Sequence, residues 1–111
     1  MEIIPFPSAE AAWFWTMAAL EARHAGRKPA EARCAPEEVL RCLDDIYRRR
    51  RIILLHVRTL RSYGRRQRAP LPNCLRERCD RKLWVEAMQH LDDRLRERGL
   101  VAGVASWLVP A

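Results

Sequence analysis

Apolar residues recur at helical intervals in four stretches of the chain, and Gly and Pro mark two of the three junctions between them. Ser8 is placed to cap a helix over about residues 8–24, with Glu10 in the first turn near the positive end of the dipole. Trp13, Met17 and Leu20 give this helix a buried face, and Gly26 ends it. Residues 26–36 read as a linker. Pro36 occupies a first helical position and is followed by Glu37 and Glu38. Val39, Leu40, Leu43, Ile46 and Tyr47 then form one apolar stripe, and Ile52, Ile53, Val57, Leu60 and Tyr63 form another. The two stripes lie about 115° apart around a common axis, so one straight helix cannot bury both against one partner. A break near Arg48–Arg51 is expected, giving helices at 37–48 and 52–64, although the junction holds neither Gly nor Pro.

Gly64 is expected to close the third helix, and residues 65–79, with Pro70 and Pro72, to form a loop. Asp80 is the expected N-cap of a last helix over 80–98, with Leu83, Trp84, Ala87, Met88, Leu91 and Leu95 inward and Gly99 just past its end. Residues 100–111 read as a short strand or an extended tail. The expectation is an all-α, single four-helix domain over 1–111, with a helix-turn-helix-like unit in the middle.

Charge changes the picture more than composition does. At 111 residues and 49% hydrophobic the chain suits one folded domain. Residues 48–82 hold 13 of the 21 Lys and Arg but only Glu77 and Asp80 as acids, a net of +11, whereas the rest carries −4. Such segregation creates a directed field that draws in anionic partners. No stretch approaches the roughly 18 apolar residues of a membrane span. With no basic and apolar leader visible, the cytoplasm is the expected location and the four cysteines are expected to be reduced.

On a helix, Arg51, Arg58, Arg61 and Arg65 project within about 80° of one another, away from Ile53, Val57 and Leu60. Guanidinium forks pair with phosphate oxygens at two points. The expected function is therefore non-catalytic DNA binding, regulatory or architectural. Arg48, Arg49, Arg50, Arg66 and Arg68 are expected to join the binding set, with Arg76, Arg78, Arg81 and Lys82 flanking it. Arg58 and Arg61 could reach guanine edges and Ser62 a base, but the helix lacks the Asn or Gln that reads adenine. A passive solvated surface is the bland alternative. An acidic protein partner ranks second and RNA third, since no aromatic-rich strands are present to stack on bases. The terminal helices offer a surface for a homodimer.

Other candidate chemistry reads as ordinary structure. Cys34 and Cys42 are eight residues apart, Cys74 and Cys79 five apart, and His24, His56 and His90 are scattered, unlike the paired spacing of zinc sites. No metal or other cofactor is expected. His56 falls on an apolar side and is expected to be a hydrogen-bonded core residue. Trp13 and Trp84 are expected in the core, with Trp15 partly exposed and Trp107 in the tail. Asp44–Asp45 and Asp92–Asp93 are adjacent pairs that diverge by about 100° on a helix and cannot share a substrate. No Gly-rich phosphate loop or nucleophile elbow is present, so no enzyme is expected.

The segments VLRCLDDIYRRRRI, LRSYGRRQ and LWVEAMQHLDDRLRERGLV, with AWFW near the start, resemble those of a family of short, basic bacterial proteins that has no established activity. The resemblance covers most of the chain. It implies a bacterial or phage-related setting and supplies no site residues.

Overall fold

The computed structural model describes residues 4–27 and 34–103. Four helices follow one another: α1 (Ala9–His24), α2 (Pro36–Arg48), α3 (Leu54–Arg66) and α4 (Arg78–Glu97), the last entered through a 3-10 turn over Leu75–Glu77. The all-α class is as expected. Residues 28–33 of the expected linker and 104–111 of the expected tail, including Trp107, lie outside the described residues.

The starts of α1 and α2 follow from local chemistry. Ser8 Oγ accepts from the Ala11 amide at 3.1 Å, and Pro36 begins α2 ahead of Glu37 and Glu38. All four helices end the same way. A residue at the cap (Gln67 in α3) or just after it takes positive φ, and two backbone bonds close over it: Gly26 to Arg23 with Arg27 to Ala22, Arg50 to Tyr47 with Arg51 to Ile46, Gln67 to Gly64 with Arg68 to Tyr63, and Gly99 to Arg96 with Leu100 to Leu95. Glycine fills that position twice. Arg50 (φ 60°) and Gln67 (φ 57°) fill it without the freedom of glycine. The break between α2 and α3 therefore needs no Gly or Pro, because Arg50 adopts the left-handed conformation itself.

Three boundaries differ from the sequence expectation. Helix α3 starts at Leu54 rather than 52, so Ile53 is its N-cap and is 54% exposed, not core. Gly64 does not close α3. It is buried inside the helix, and a Cβ there would stand 2.7 Å from both the Trp13 indole nitrogen and Met17 Cγ. Gly64 is the point at which α3 and α1 touch. Asp80 is not the N-cap of α4 but sits in its first turn, where it accepts from the Tyr63 hydroxyl at 2.7 Å.

The core lies between α1 and α4 and the pair α2, α3. Trp13, Trp84, Leu60, Leu91 and Leu95 are its large buried members, with Val39, Cys42 and Ile46 from α2. Two indoles have their polar ends satisfied: Trp13 donates to the Leu60 carbonyl and Trp84 to Glu10 Oε1, each at 2.7 Å. Helices α2 and α3 each pack on α1 and α4 but make at most marginal contact with one another. The two helices form a corner laid over α1 and α4. The segment before α1 meets the segment after α4 as well. Phe6 pairs in parallel with Val101, donating to the Leu100 carbonyl at 2.8 Å and accepting from the Ala102 amide at 3.0 Å.

Two stability changes follow. Gly64→Ala should destabilise the fold by about 1–3 kcal/mol through overpacking against Trp13, read by chemical denaturation. Arg50→Gly should stabilise it by about 0.5–1 kcal/mol in the same assay, since left-handed strain of about 1–2 kcal/mol is relieved against the greater unfolded-state freedom of glycine. Unchanged stability in the first variant would mean that α1 and α3 do not meet at residue 64.

Candidate nucleic-acid interface

Helix α3 is anchored from beneath. His56, Thr59, Leu60, Tyr63 and Gly64 are buried, which turns the remaining positions outward. Arg58, Arg61, Arg65 and Arg66 are exposed, and together with Ser62 they line one shallow open groove. Among the described residues none of these four is ion-paired to a carboxylate. Arg66 lies over the Tyr63 ring at 5.0 Å, a cation–π contact that orients it along the helix end. Arg61 and Arg65 also edge a second concavity, floored by Trp13, Met17, Leu20 and Leu40.

The other expected members of the binding set are distributed differently. Arg51 precedes α3, so the helical spacing that aligned it with Arg58 does not extend to it. With Arg49 it borders a groove shared with Asp93, Arg94 and Glu97 of α4. Arg50 is exposed at the turn. Arg48 pairs with Asp44 at 2.9 Å, one helical turn earlier. Arg68 is occupied: its two terminal nitrogens each bond a Glu77 oxygen at 2.8 Å. Glu77 also accepts from the Leu71 amide at 2.8 Å. The Arg68 guanidinium and that amide bond hold the Glu77 carboxyl down at about 2. The pair closes the 67–77 loop. Arg76, Arg78 and Lys82 are exposed, while Arg81 is half-buried and reaches the Pro70 carbonyl at 3.5 Å.

Several carboxylates outside this segment bind arginines. Arg94 bridges Asp45 (2.8 Å) and Glu97 (2.9 Å), Arg96 bonds Asp92 at 2.7 Å, and Arg23 bonds Glu37. Hydrogen bonding to Arg94 holds Asp45 below the usual carboxylate range. The adjacent acids Asp44 and Asp45 thus turn to different partners, one to Arg48 and the other to Arg94.

Sequence reasoning missed an apolar feature at the same site. Ile53, Leu54 and Leu55 are 54%, 50% and 54% exposed at the start of α3, whereas Ile52 just before them is buried. The stripe Ile52, Ile53, Val57 assigned Ile53 to the core. A helix starting two residues later leaves it outside, and no periodic signal marks that shift.

The remaining candidate chemistry resolves into packing. His56 is buried, accepting from the Ile53 amide through Nδ1 at 3.0 Å and facing Glu86 through Nε2 at 3.2 Å, the hydrogen-bonded role expected of it. Burial pushes the Cys42 thiol up to about 11 and raises Cys34, so neither offers a ready thiolate. Trp13 and Trp84 are in the core and Trp15 is half-buried, its ring centroid 5.3 Å from that of Phe6. Among the described residues no three His, Cys, Asp or Glu side chains gather as a metal site would require. Nor is any helix there long and apolar enough to cross a membrane. No family model matches the chain, and neither a curated protein nor a solved structure matches it.

The Glu77 clamp has a pH signature. A carboxyl whose folded value lies near 2, below the ordinary 4.5, stabilises the fold above about pH 4.5 and ceases to do so as pH falls toward 2. Glu77→Gln should melt lower than the parent protein at pH 7, with the gap in Tm closing between about pH 4.5 and 2. A gap that stays constant across that range would show that the carboxylate charge is not what holds the loop.

Proposed function

We propose that this protein is a non-catalytic DNA-binding protein, working in the cytoplasm, that grips the phosphate backbone with the outer face of α3. One observation carries this reading: four guanidinium groups, Arg58, Arg61, Arg65 and Arg66, share a single exposed groove with no ion-pairing carboxylate among the described residues. Five other arginines, Arg23, Arg48, Arg68, Arg94 and Arg96, are ion-paired. An arginine paired internally is lost to phosphate, and among the described residues these four have no ion pair. Arg68 belongs to the loop clamp in this reading, and Arg49, Arg50 and Arg51 at the corner supply longer-range attraction.

A second reading, an acidic protein partner, draws on the exposed Ile53, Leu54 and Leu55 beside the arginines. Protein interfaces favour large apolar and Arg side chains at their centres. A regulatory or architectural role and a bacterial or phage setting remain part of the proposal, resting on the charge segregation and the resemblance described above.

Gel retardation of a duplex at several salt concentrations tests the first reading. If each of the four arginines neutralises a phosphate, the logarithmic salt slope should include about 3.6 from them, at about 0.9 apiece. Arg58→Ala with Arg61→Ala should reduce the slope by about two and weaken binding. The melting temperature should stay nearly constant, because both side chains are exposed. Affinity and slope unaltered in that variant would remove α3 from the binding surface.

A further inference from the structure

The tip of α3 is not basic. Ile53, Leu54 and Leu55 are each at least half exposed there, although large aliphatic groups are favoured by removal from water. Their positions are tied to the arginines by the helix itself. Leu54 shares a row with Arg58, Arg61 and Arg65, at steps of four, three and four residues. Leu55 shares a row with Arg58, Ser62 and Arg66. One outward face therefore runs from an apolar end into a guanidinium stretch. Along the axis Arg58 stands about 6 Å and Arg61 about 10.5 Å beyond Leu54, at 1.5 Å per residue.

What covers such a face must be apolar at one end and rich in acceptors or negative charge along the rest. A second copy of this chain fits poorly, because the exposed Arg49, Arg50, Arg51 and Arg58 flank the tip in the chain and stacking two tips sets like charges close to one another. The major groove of DNA carries the required alternation. Thymine presents its 5-methyl group there, guanine presents the N7 and O6 acceptors, and phosphates flank both. Base pairs repeat about every 3.4 Å, so the Leu54–Arg58 and Leu54–Arg61 offsets correspond to about two and three steps.

We propose, resting on the DNA reading above, that α3 enters the major groove with Leu54 and Leu55 against thymine methyl groups. On duplexes carrying short blocks of thymine and guanine, Arg58 and Arg61 leave phosphate for guanine edges two to three base pairs away, while Arg65 and Arg66 hold phosphate. The arginine share of the salt slope falls there to about 1.8. The protein thereby prefers duplexes in which thymine and guanine alternate in short blocks on one strand. Recognition is partly direct and does not need the Asn or Gln that α3 lacks.

Replacing thymine by uracil removes the methyl group and leaves every hydrogen-bonding edge in place. The probe is a duplex of about 20 base pairs whose one strand repeats guanine-guanine-thymine-thymine, made once with thymine and once with uracil and titrated against the full chain at low salt. The thymine duplex should bind about fourfold more tightly per methyl contact, the factor equivalent to about 0.8 kcal/mol for one buried carbon group. Leu54→Ala with Leu55→Ala should bind both duplexes alike, keeping the salt slope of the parent protein. Thermal melting checks that this variant is folded, and the comparison of the two duplexes on the parent protein needs no variant at all. Equal affinity of the parent for the two duplexes would overturn methyl readout while leaving arginine-mediated binding intact. Absence of binding to either duplex would overturn both readings and leave the acidic protein partner as the occupant.

Discussion

The contact between Trp13 and α3 is the constraint on which the rest of the molecule depends. Gly64 removes the side chain that would otherwise collide with the indole, and the indole nitrogen then donates to the Leu60 carbonyl one turn earlier. That single contact sets the separation of α1 and α3 and fixes which way α3 is rolled. With Leu60, Tyr63 and Gly64 held inward, Arg58, Arg61 and Arg65 have no direction left but outward. The opposite side of α3 is secured in the same manner, by the Tyr63 hydroxyl on Asp80 and the His56 ring facing Glu86 across α4. Burial and desolvation, then hydrogen bonding to Asp80, push the Tyr63 hydroxyl up to about 12, so it remains a donor throughout the neutral range.

The electrostatics of the fold are divided along the same line. Arg94 and Arg96 lie on α4 and pair with Asp45, Glu97 and Asp92. Most of these pairs are partly or wholly exposed, and such pairs contribute little to stability. Their larger consequence is for the field outside the protein, because each paired carboxylate cancels the charge of the arginine it binds. Among the described residues a ridge of guanidinium groups without ion pairs is left on one face, continuous with an apolar tip. Such a surface suits a polyanion better than a uniform coat of positive charge would, because field and contact chemistry point in the same direction.

Much of this was legible from periodicity. The stripes centred on Leu43 and on Val57 and Leu60 could not belong to one straight helix, and the chain does break between them at Arg49–Ile53. Ser8, Pro36 and Gly99 serve the terminal roles their chemistry suits. Gly64 shows where local reasoning stops. Near the end of an apolar stripe, a glycine that terminates a helix and one that admits a neighbouring helix look alike, and the turn instead falls to Gln67, whose side chain steadies it by donating to the carbonyls of Gly64 and Phe14. Asp80 is a parallel case. A residue suited to capping was taken instead by Tyr63, 17 positions earlier in the chain.

By itself, then, the sequence determined the helical class, the count of helices and the concentration of positive charge in the middle of the chain, because propensity, periodicity and charge are local quantities. It could not determine which arginines would remain unpaired, since Arg68 is neutralised by Glu77 across a loop and Arg94 by Asp45 on another helix. Nor could it show that Ile53, Leu54 and Leu55 stand outside the core or that α2 and α3 rest on α1 and α4 rather than on each other. Those outcomes are set by packing between residues far apart in the chain, and only the tertiary structure decides which of the competing partners is within reach.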